Sequence, residues 1–348
     1  MRRTSLVAHA AAQPNSAPSG PTTEALQRQA ELENELQMAR DIQQGLLLAA
    51  VPHLPGWELS AVSLPARDLG GDLYDFLPLR DGWQGIMIGD VAGKGLPAAL
   101  QMAVARTVFR HEARCGQSTA LTLAAVNRGI ISEIPHGMVT MLYAQLHPTR
   151  GEMQIANAGH TFPLLVNGKV EELEIPGLPL GIDLDIDYDQ MSITLEPGDT
   201  IVLYSDGVTE AFNSEYEMFG IERLQALLVA NEQLKPRALM MRLLHELRTW
   251  GISNAQSDDV TIVVLRRRLA RLSDELRSIA EDVLDSKNAL TFWHDIVLNT
   301  HDSRLLDASA DQWNEVLPAL ARAAQGYFGR GLARELHQQM RLVIEEYR

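Results

Sequence analysis

The sequence has a single cysteine, Cys115, and no apolar run long enough to cross a membrane. One cysteine excludes an intramolecular disulfide, a thiolate metal cage and a Cys-x-x-Cys redox pair, and it favours a reducing, cytoplasmic setting. A membrane-spanning helix needs about 18 consecutive apolar residues, so none is predicted. The residues after Met1 lack the apolar core of a signal peptide, so no export signal is expected.

An excess of basic residues is also missing. The 348 residues include 45 acidic and 30 basic side chains, which gives a formal net charge of −15. Most of the imbalance lies in residues 41–265, which hold 28 acidic and 14 basic side chains. Phosphate backbones require a basic face, so nucleic acid is not an expected partner.

The Gly-Lys pair at positions 93 and 94 does not form a phosphate-binding P-loop. That motif needs Gly at position 88 and Ser or Thr at position 95, where Ile88 and Gly95 stand. Lys94 is therefore expected at the surface or at the rim of an active site.

Four aspartates alternate with other residues between Asp183 and Asp189. A calcium loop starting at Asp183 would require Gly at position 188 and Glu at position 194, which are Tyr188 and Thr194. The alternation favours a half-exposed strand instead.

Composition divides the chain into four segments. Residues 1–23 are rich in Ala, Pro, Ser and Thr, which predicts a disordered lead. Residues 24–50 carry a weak heptad pattern that fits two alternatives, a lone amphipathic helix packed on the next domain or a dimerising coiled coil. Residues 51–266 mix strand and helix signals, and residues 267–348 predict a helical module of unknown role.

The strand and helix signals predict an α+β layered sandwich, because helices interrupt the strands in pairs and do not alternate with them. Strands are predicted at 57–64, 72–79, 84–90, 138–147, 152–157, 162–166, 200–205 and 260–265. Helices are predicted at 97–114, 118–134, 220–230, 236–250, 268–286, 287–299, 309–328 and 330–347.

Short phrases of Gly and Asp recur four times in the mixed segment. They are residues 70–75 (GGDLYD), 89–95 (GDVAGKG), 205–210 (SDGVTE) and 257–261 (SDDVT). One such phrase is usually only a turn, but four beside predicted strands make coincidence a poor explanation. Carboxylates at strand ends, next to glycines that let backbone carbonyls approach, suit hard cations such as Mg²⁺ or Mn²⁺.

The order and wording of these phrases resemble the PPM family of metal-dependent Ser/Thr protein phosphatases, in its bacterial RsbU and SpoIIE branch. Residues 39–47 (ARDIQQGLL), 157–160 (NAGH) and 177–181 (GLPLG) extend the resemblance. It implies an αββα sandwich with a site for two divalent ions, Mn²⁺ or Mg²⁺. Animal and plant members often carry Glu where Gly71 stands, so the site nearest Asp72 is expected to be weaker or richer in water.

The resemblance also implies a role for each site residue. Asp90 would bridge both ions and the Val91 carbonyl would ligate one of them. Asp206 and Asp258 would complete the other ion, and Asp72 would serve the first directly or through water. These four aspartates are the expected catalytic residues. Asp259, next to Asp258, is a further candidate, which would either ligate an ion or only orient its neighbours.

Two metal ions about 3.5–4 Å apart lower the pKa of a shared water, so that hydroxide can attack phosphorus near neutral pH. Arg67, five residues before Asp72, could bind the substrate phosphate, and a surface arginine in a loop is an equal alternative. His160 is expected to be a turn or structural histidine.

The resulting hypothesis is a cytoplasmic, metal-dependent protein Ser/Thr phosphatase. The resemblance implies a phosphorylated anti-sigma-factor antagonist of the STAS type as substrate, and residues 24–50 or 267–348 could bind a regulator or form a homodimer. Two alternatives remain open. One is a catalytically weak, phosphatase-like scaffold that binds a phosphoprotein, and the other is a hydrolase of small phosphate esters.

Overall fold

A computed structural model describes residues 23–47, 51–134, 137–251, 256–298 and 303–347. The lead predicted for 1–23 lies, apart from Thr23, outside the described residues. The helices are α1 (Thr23–Leu47), α2 (Leu96–Ala113), α3 (Thr119–Glu133), α4 (Gly220–Ala230), α5 (Pro236–Trp250), α6 (Leu272–Thr291), α7 (Ala310–Phe328) and α8 (Arg330–Glu346). The strands are β1 (Trp57–Leu64), β2 (Leu73–Pro78), β3 (Gln84–Val91), β4 (Val139–His147), β5 (Glu152–Ala158), β6 (Leu164–Val166), β7 (Val170–Glu172), β8 (Gln190–Thr194), β9 (Thr200–Tyr204) and β10 (Val260–Arg267).

The strands of the described residues form two antiparallel sheets that face each other. The first sheet has the order β1-β10-β9-β6-β7 and the second has the order β2-β3-β4-β5-β8. An apolar core lies between the sheets, α2 and α3 cover the outer face of the second sheet, and α4 and α5 cover that of the first. The layers therefore run helix, sheet, sheet, helix, which confirms the predicted αββα sandwich.

Local sequence explains where the covering helices begin. Ser118 precedes α3 and its hydroxyl accepts a hydrogen bond from the backbone N–H of Leu121, as helix N-caps do. Proline occupies the first turn of α2 and of α5, where no backbone hydrogen bond is lost. β9 (TIVLY) is buried at every position, because its apolar side chains serve the cores on both faces of the sheet.

The strand predicted between Asp183 and Asp189 is wrong. These residues form a turn and an irregular segment, and β8 begins only at Gln190. The Asp183 carboxylate accepts a hydrogen bond from the backbone N–H of Asp185, which closes a local turn in place of a strand ladder. The alternation of aspartates with apolar residues did not by itself distinguish a strand from a turn. The short strand β7 and the strand β8 were also not predicted.

The boundary predicted between helices at 268–286 and 287–299 is found in the structure at Asp285. α6 continues to Thr291 with a kink at Asp285, which has φ 67° and ψ 162°, and a π-helical segment (Phe292–Leu298) follows. The Asp285 carboxylate accepts hydrogen bonds from the backbone N–H groups of Lys287 and Asn288. It therefore caps the helical segment that follows, and the predicted break between two helices is confirmed at this kink.

The C-terminal helices have their own apolar core, in which the rings of Trp293 and Trp313 stack with centroids 6.0 Å apart. A group of charged side chains, which range from fully buried to partly exposed, joins α6 and α8 to the first sheet, and we call it the basal ion cluster. Its members are Glu58, Lys235, Arg266, Arg268, Glu275, Asp282 and Glu346.

The helix α1 leaves much of its apolar surface open. Leu32, Met38 and Ile42 are 56%, 58% and 67% exposed, and the helix contacts α2 and β2. The helix therefore packs on the next domain along only part of its surface, and a dimerising coiled coil stays a prediction. No helix among the described residues combines the length and apolar character needed to cross a bilayer.

Candidate active site

Five aspartates gather at one edge of the sandwich, and we call them the carboxylate cluster. The second sheet contributes Asp72, just before β2, and Asp90, near the end of β3. The first sheet contributes the others, which lie just after β9 or just before β10. The cluster consists of Asp72, Asp90, Asp206, Asp258 and Asp259. The sandwich thus brings together aspartates from each of the four phrases, which are far apart in sequence.

Gly71 lets the two strands of the second sheet approach at the cluster. A Cβ atom at this position would lie 2.6 Å from the Val91 carbonyl oxygen and 3.0 Å from Oδ1 of Asp90. Any side chain would push these oxygens apart. The glycine therefore keeps a backbone carbonyl and a carboxylate side by side, as the resemblance implies for the first ion site.

Asp72 is almost fully buried, with 2% of its surface exposed. The Ser205 hydroxyl donates a hydrogen bond of 2.7 Å to its Oδ2 atom and accepts one of 2.9 Å from the backbone N–H of Thr261. Burial raises the pKa of Asp72 well above its usual value, and the charge of Asp90 adds to this, while Ser205 and Thr261 oppose it. Ser205 was not predicted as a site residue, although it directly precedes Asp206.

Asp90 is half-buried among the other carboxylates. Burial is the main reason why its pKa rises to about 7. The carboxylates of Asp206 and Asp258 raise it further, and a hydrogen bond with Asp72 opposes the shift. Burial, and then the charge of Asp258, also raise the pKa of Asp206. The cluster therefore holds more negative charge than its surroundings compensate.

The carboxylate of Asp259 holds the loop between β1 and β2. Its Oδ1 accepts a hydrogen bond of 2.7 Å from the backbone N–H of Ala66, and its Oδ2 accepts one of 2.6 Å from that of Gly71. Both oxygens are thus engaged by backbone groups. Of the two roles expected for Asp259, these contacts favour orienting over ligation.

Lys94 places one cation at the edge of the cluster. Its ammonium group lies 2.9 Å from Oδ2 of Asp258 and donates a hydrogen bond of 2.6 Å to the Ser257 carbonyl oxygen. Lys94 is 41% exposed at its side chain and Asp258 is 35% exposed, so water screens this ion pair. Lys94 is therefore at the rim of the site, and its pairing with Asp258 was not visible in the sequence.

Arg67 lies exposed on the loop that Asp259 holds, one residue after Ala66. Among the described residues, no carboxylate pairs with its guanidinium. The same loop is fastened to α1, because the Gln43 amide donates a hydrogen bond of 2.7 Å to the Gly70 carbonyl and accepts one from its N–H. Arg40 forms an ion pair with Asp68 beside this contact.

The donor atoms of the cluster fit a hard divalent cation. They are carboxylate and carbonyl oxygens, and their uncompensated charge is the kind that a cation would offset. In the part of the chain that is described, no three His, Cys, Asp or Glu side chains converge closely enough to enclose an ion by themselves. Mg²⁺ commonly takes only one or two carboxylates and keeps several waters, so this arrangement remains compatible with such an ion.

Comparisons with known proteins agree with this architecture. The family model described as stage II sporulation protein E (SpoIIE) matches residues 80–268. The chain is 33% identical over 246 residues to phosphoserine phosphatase RsbU of Bacillus subtilis (strain 168), a match that covers 69% of this chain and 72% of the relative.

Two solved structures are similar. The SiaA-PP2C domain of Pseudomonas aeruginosa is 24% identical with a TM-score of 0.63, and the match covers 70% of this chain and 99% of that one. The RsbU and RsbW domains of Rv1364c from Mycobacterium tuberculosis are 27% identical with a TM-score of 0.55, and the match covers 69% and 71%. The predicted enzyme class, a Ser/Thr protein phosphatase, is confirmed by the family match and by the similarity to phosphoserine phosphatase RsbU. The chain therefore belongs to the SpoIIE family and has its phosphatase fold.

Proposed function

We propose that the chain hydrolyses phosphoserine or phosphothreonine on a protein partner, with divalent metal ions held by the carboxylate cluster. One observation gives this proposal its main support. Aspartates from both sheets meet at one edge of the sandwich, and burial together with the charge of neighbouring carboxylates raises the pKa values of Asp72, Asp90 and Asp206. A phosphatase of this fold needs cations at that place, since the substrate itself is an anion.

The ion-holding residues would be those that the resemblance implies. Asp90 would contact both ions, the Val91 carbonyl and Asp72 would serve one, and Asp206 with Asp258 would serve the other. Two such ions, Mn²⁺ or Mg²⁺, lower the pKa of a bound water and offset the charge of the phosphoryl oxygens when they are present. Lys94 would have to release Asp258 when that carboxylate ligates an ion.

The chain's other residues prepare the site for this chemistry. Ser205 fixes the orientation of Asp72, and Asp259 holds the loop that carries Gly71. Arg67 on the same loop is free to form paired hydrogen bonds with the substrate phosphate, a geometry to which guanidinium is suited. The lone cysteine, Cys115, lies exposed in the turn after α2 and has no part in this scheme.

A phosphorylated anti-sigma-factor antagonist of the STAS type is the proposed substrate, in a cytoplasmic signalling pathway. Support comes from the family membership and from the similarity to RsbU. Regulation through residues 24–50 is supported by the contacts of Gln43 and Arg40 with the loop before Asp72. The C-terminal helices, which meet the first sheet at the basal ion cluster, are a second place for a regulator or a homodimer contact.

A substrate panel tests the proposal. The full chain is assayed with a serine-phosphorylated STAS-type protein, p-nitrophenyl phosphate and a nucleotide, each with Mn²⁺ or with EDTA. We expect Mn²⁺-dependent release of phosphate, fastest from the phosphoprotein, and loss of release in Asp206→Asn. Asp199→Asn, at the opposite end of β9, is the matched control and should keep its activity.

The same panel separates the alternatives. Binding of the phosphoprotein without hydrolysis under all conditions would indicate a scaffold. A kcat/KM for small esters far above that for the phosphoprotein would indicate a small phosphate-ester hydrolase.

A further inference from the structure

The end of β5 and the turn after it, residues 157–161, have no role in the chemistry described above. The Asn157 side chain closes this turn, since its Oδ1 accepts a hydrogen bond of 2.9 Å from the His160 N–H and its Nδ2 donates one of 2.9 Å to the His160 carbonyl. Gly159 has a φ of 71°, and a Cβ atom there would lie 2.7 Å from the ring of Pro179. The conformation of the turn is therefore fixed by the Asn157 side chain and by the close contact of Gly159 with Pro179.

The His160 ring reaches the second sheet. The ring is buried, with 7% of the residue exposed, and its Nδ1 lies 2.9 Å from the Thr140 hydroxyl on β4. Thr140 pairs with Asp90 in the ladder between β3 and β4, and its hydroxyl lies 3.5 Å from the Asp90 carbonyl oxygen. Through one hydroxyl group, the ring is thus connected to the strand position that carries Asp90.

The next residue reaches the first sheet. The Thr161 hydroxyl donates a hydrogen bond to the Tyr204 carbonyl at the end of β9. Ser205 and Asp206 follow Tyr204 directly. Burial lowers the pKa of His160 to about 4, and the nearby backbone of Tyr204 opposes this shift, so the ring is neutral at physiological pH and also faces β9. The Nε2 atom has no partner of full hydrogen-bond geometry among the described residues.

We propose that His160 is a positioning residue, which together with Thr161 braces β4 against β9 and sets the separation of Asp90 from Asp206. This inference rests on the proposed function, because the two carboxylates need a defined separation only if they share cations. They come from different sheets and repel each other, so a link between the sheets at this edge opposes their spreading. A neutral imidazole suits this role, since it adds no charge to the site.

Titration of Mn²⁺ alone into the full chain, by calorimetry, tests the brace. We expect His160→Gln and Thr140→Val each to weaken Mn²⁺ binding about tenfold, as is typical when a group behind a metal ligand is lost. Thr140→Ser keeps the hydroxyl and should bind within threefold of the wild type. The KM for the phosphoprotein at saturating Mn²⁺ should change less than twofold in all of them.

Thr122→Val is the matched control, because Thr122 is a buried threonine on α3 whose hydroxyl has no partner among the described residues. It should leave Mn²⁺ binding unchanged. Wild-type affinity in His160→Gln and Thr140→Val would overturn the brace alone. So would an equal loss in Thr140→Ser and Thr140→Val, since that would indicate disturbed packing. If the wild type takes up no Mn²⁺, the proposed function fails and the brace fails with it.

Discussion

Two groups of charged side chains lie at opposite ends of the strand β10. At its start, next to Val260, is the carboxylate cluster, and at its end, next to Arg267, is the basal ion cluster. The basal ion cluster pairs its acids with bases: Arg268 contacts Glu58 at 2.9 Å and Glu275 at 3.2 Å. Among the described residues, the carboxylate cluster has only Lys94 as a direct ion-pair partner.

The difference shows in the direction of the pKa shifts. Burial by itself lowers the pKa of Arg268, but the surrounding carboxylates outweigh it and the pKa rises. In the carboxylate cluster, burial and mutual repulsion act in the same direction and raise the pKa of Asp90 to about 7. Balanced charges hold two parts of the fold together, whereas an unbalanced cluster is stable only where a bound cation or a proton completes it.

The largest effect should follow from removing a charge of the carboxylate cluster. Asp90→Asn is expected to lower kcat for phosphoprotein hydrolysis at least about 1,000-fold, a loss typical of key electrostatic groups. The metal-free variant should not unfold more easily than the wild type, because one repelling charge is gone. Phosphate release in Mn²⁺ measures kcat, and thermal unfolding in EDTA measures the stability of the metal-free variant. Retained turnover would show that Asp90 is not part of the site.

Removing a charge of the basal ion cluster should have the opposite pattern. Glu275 is fully buried, and Glu275→Gln is expected to lower the free energy of unfolding by about 3 kcal/mol, because it leaves bases without their partner. Hydrolysis by the metal-loaded protein should stay within twofold. Denaturant titration and activity assays check the pair of results.

Glu281→Gln on the same helix is the control for that variant. Its exposed pair with Arg277 should be worth less than about 0.5 kcal/mol. If Glu281→Gln destabilised the protein as much as Glu275→Gln, the contrast between buried and exposed pairs would be lost.

The pH dependence should differ with and without metal. Because the pKa of Asp90 rises from 3.8 to about 7 on folding, the folded state binds more protons between these values. Stability of the metal-free protein should therefore fall as the pH rises through this window, by up to about 1.4 kcal/mol per pH unit for one proton.

Saturating Mn²⁺ should abolish this slope, because the ion keeps the folded carboxylates deprotonated, as they already are in the unfolded chain above about pH 5. Unfolding midpoints measured from pH 5 to pH 7.5, in EDTA and in Mn²⁺, test the difference. The same slope in both conditions would contradict the assignment.

The smallest effect is expected for Lys94. Lys94→Met removes the base that pairs with Asp258 among the described residues, and it should strengthen Mn²⁺ binding severalfold because a competitor is gone. The metal-free stability should change by less than about 1 kcal/mol, since the pair is partly exposed. Lys169→Met, which breaks the exposed pair with Glu171, should change neither quantity. Weaker Mn²⁺ binding in Lys94→Met would instead make Lys94 a supporting residue of the site.

The sequence predicted the layers of the fold because the signals for β1, α4 and α5 are local: apolar runs, prolines and glycines define their ends. The four Gly and Asp phrases also predicted carboxylates at the ends of strands, and the aspartates of these phrases lie together at the edge of the sandwich. The turn at 183–189 was missed, since a side-chain hydrogen bond of Asp183 decided it. The contacts of Lys94 with Asp258 and of His160 with Thr140 join residues distant in sequence, so no local pattern could reveal them.

Calorimetric titration of Mn²⁺ into the wild type, Asp206→Asn and Asp199→Asn tests the central claim most directly, namely that the unbalanced carboxylates form a cation site. The account predicts saturable binding to the wild type and to Asp199→Asn, with binding to Asp206→Asn weakened at least tenfold. Equal binding by all three proteins would contradict it.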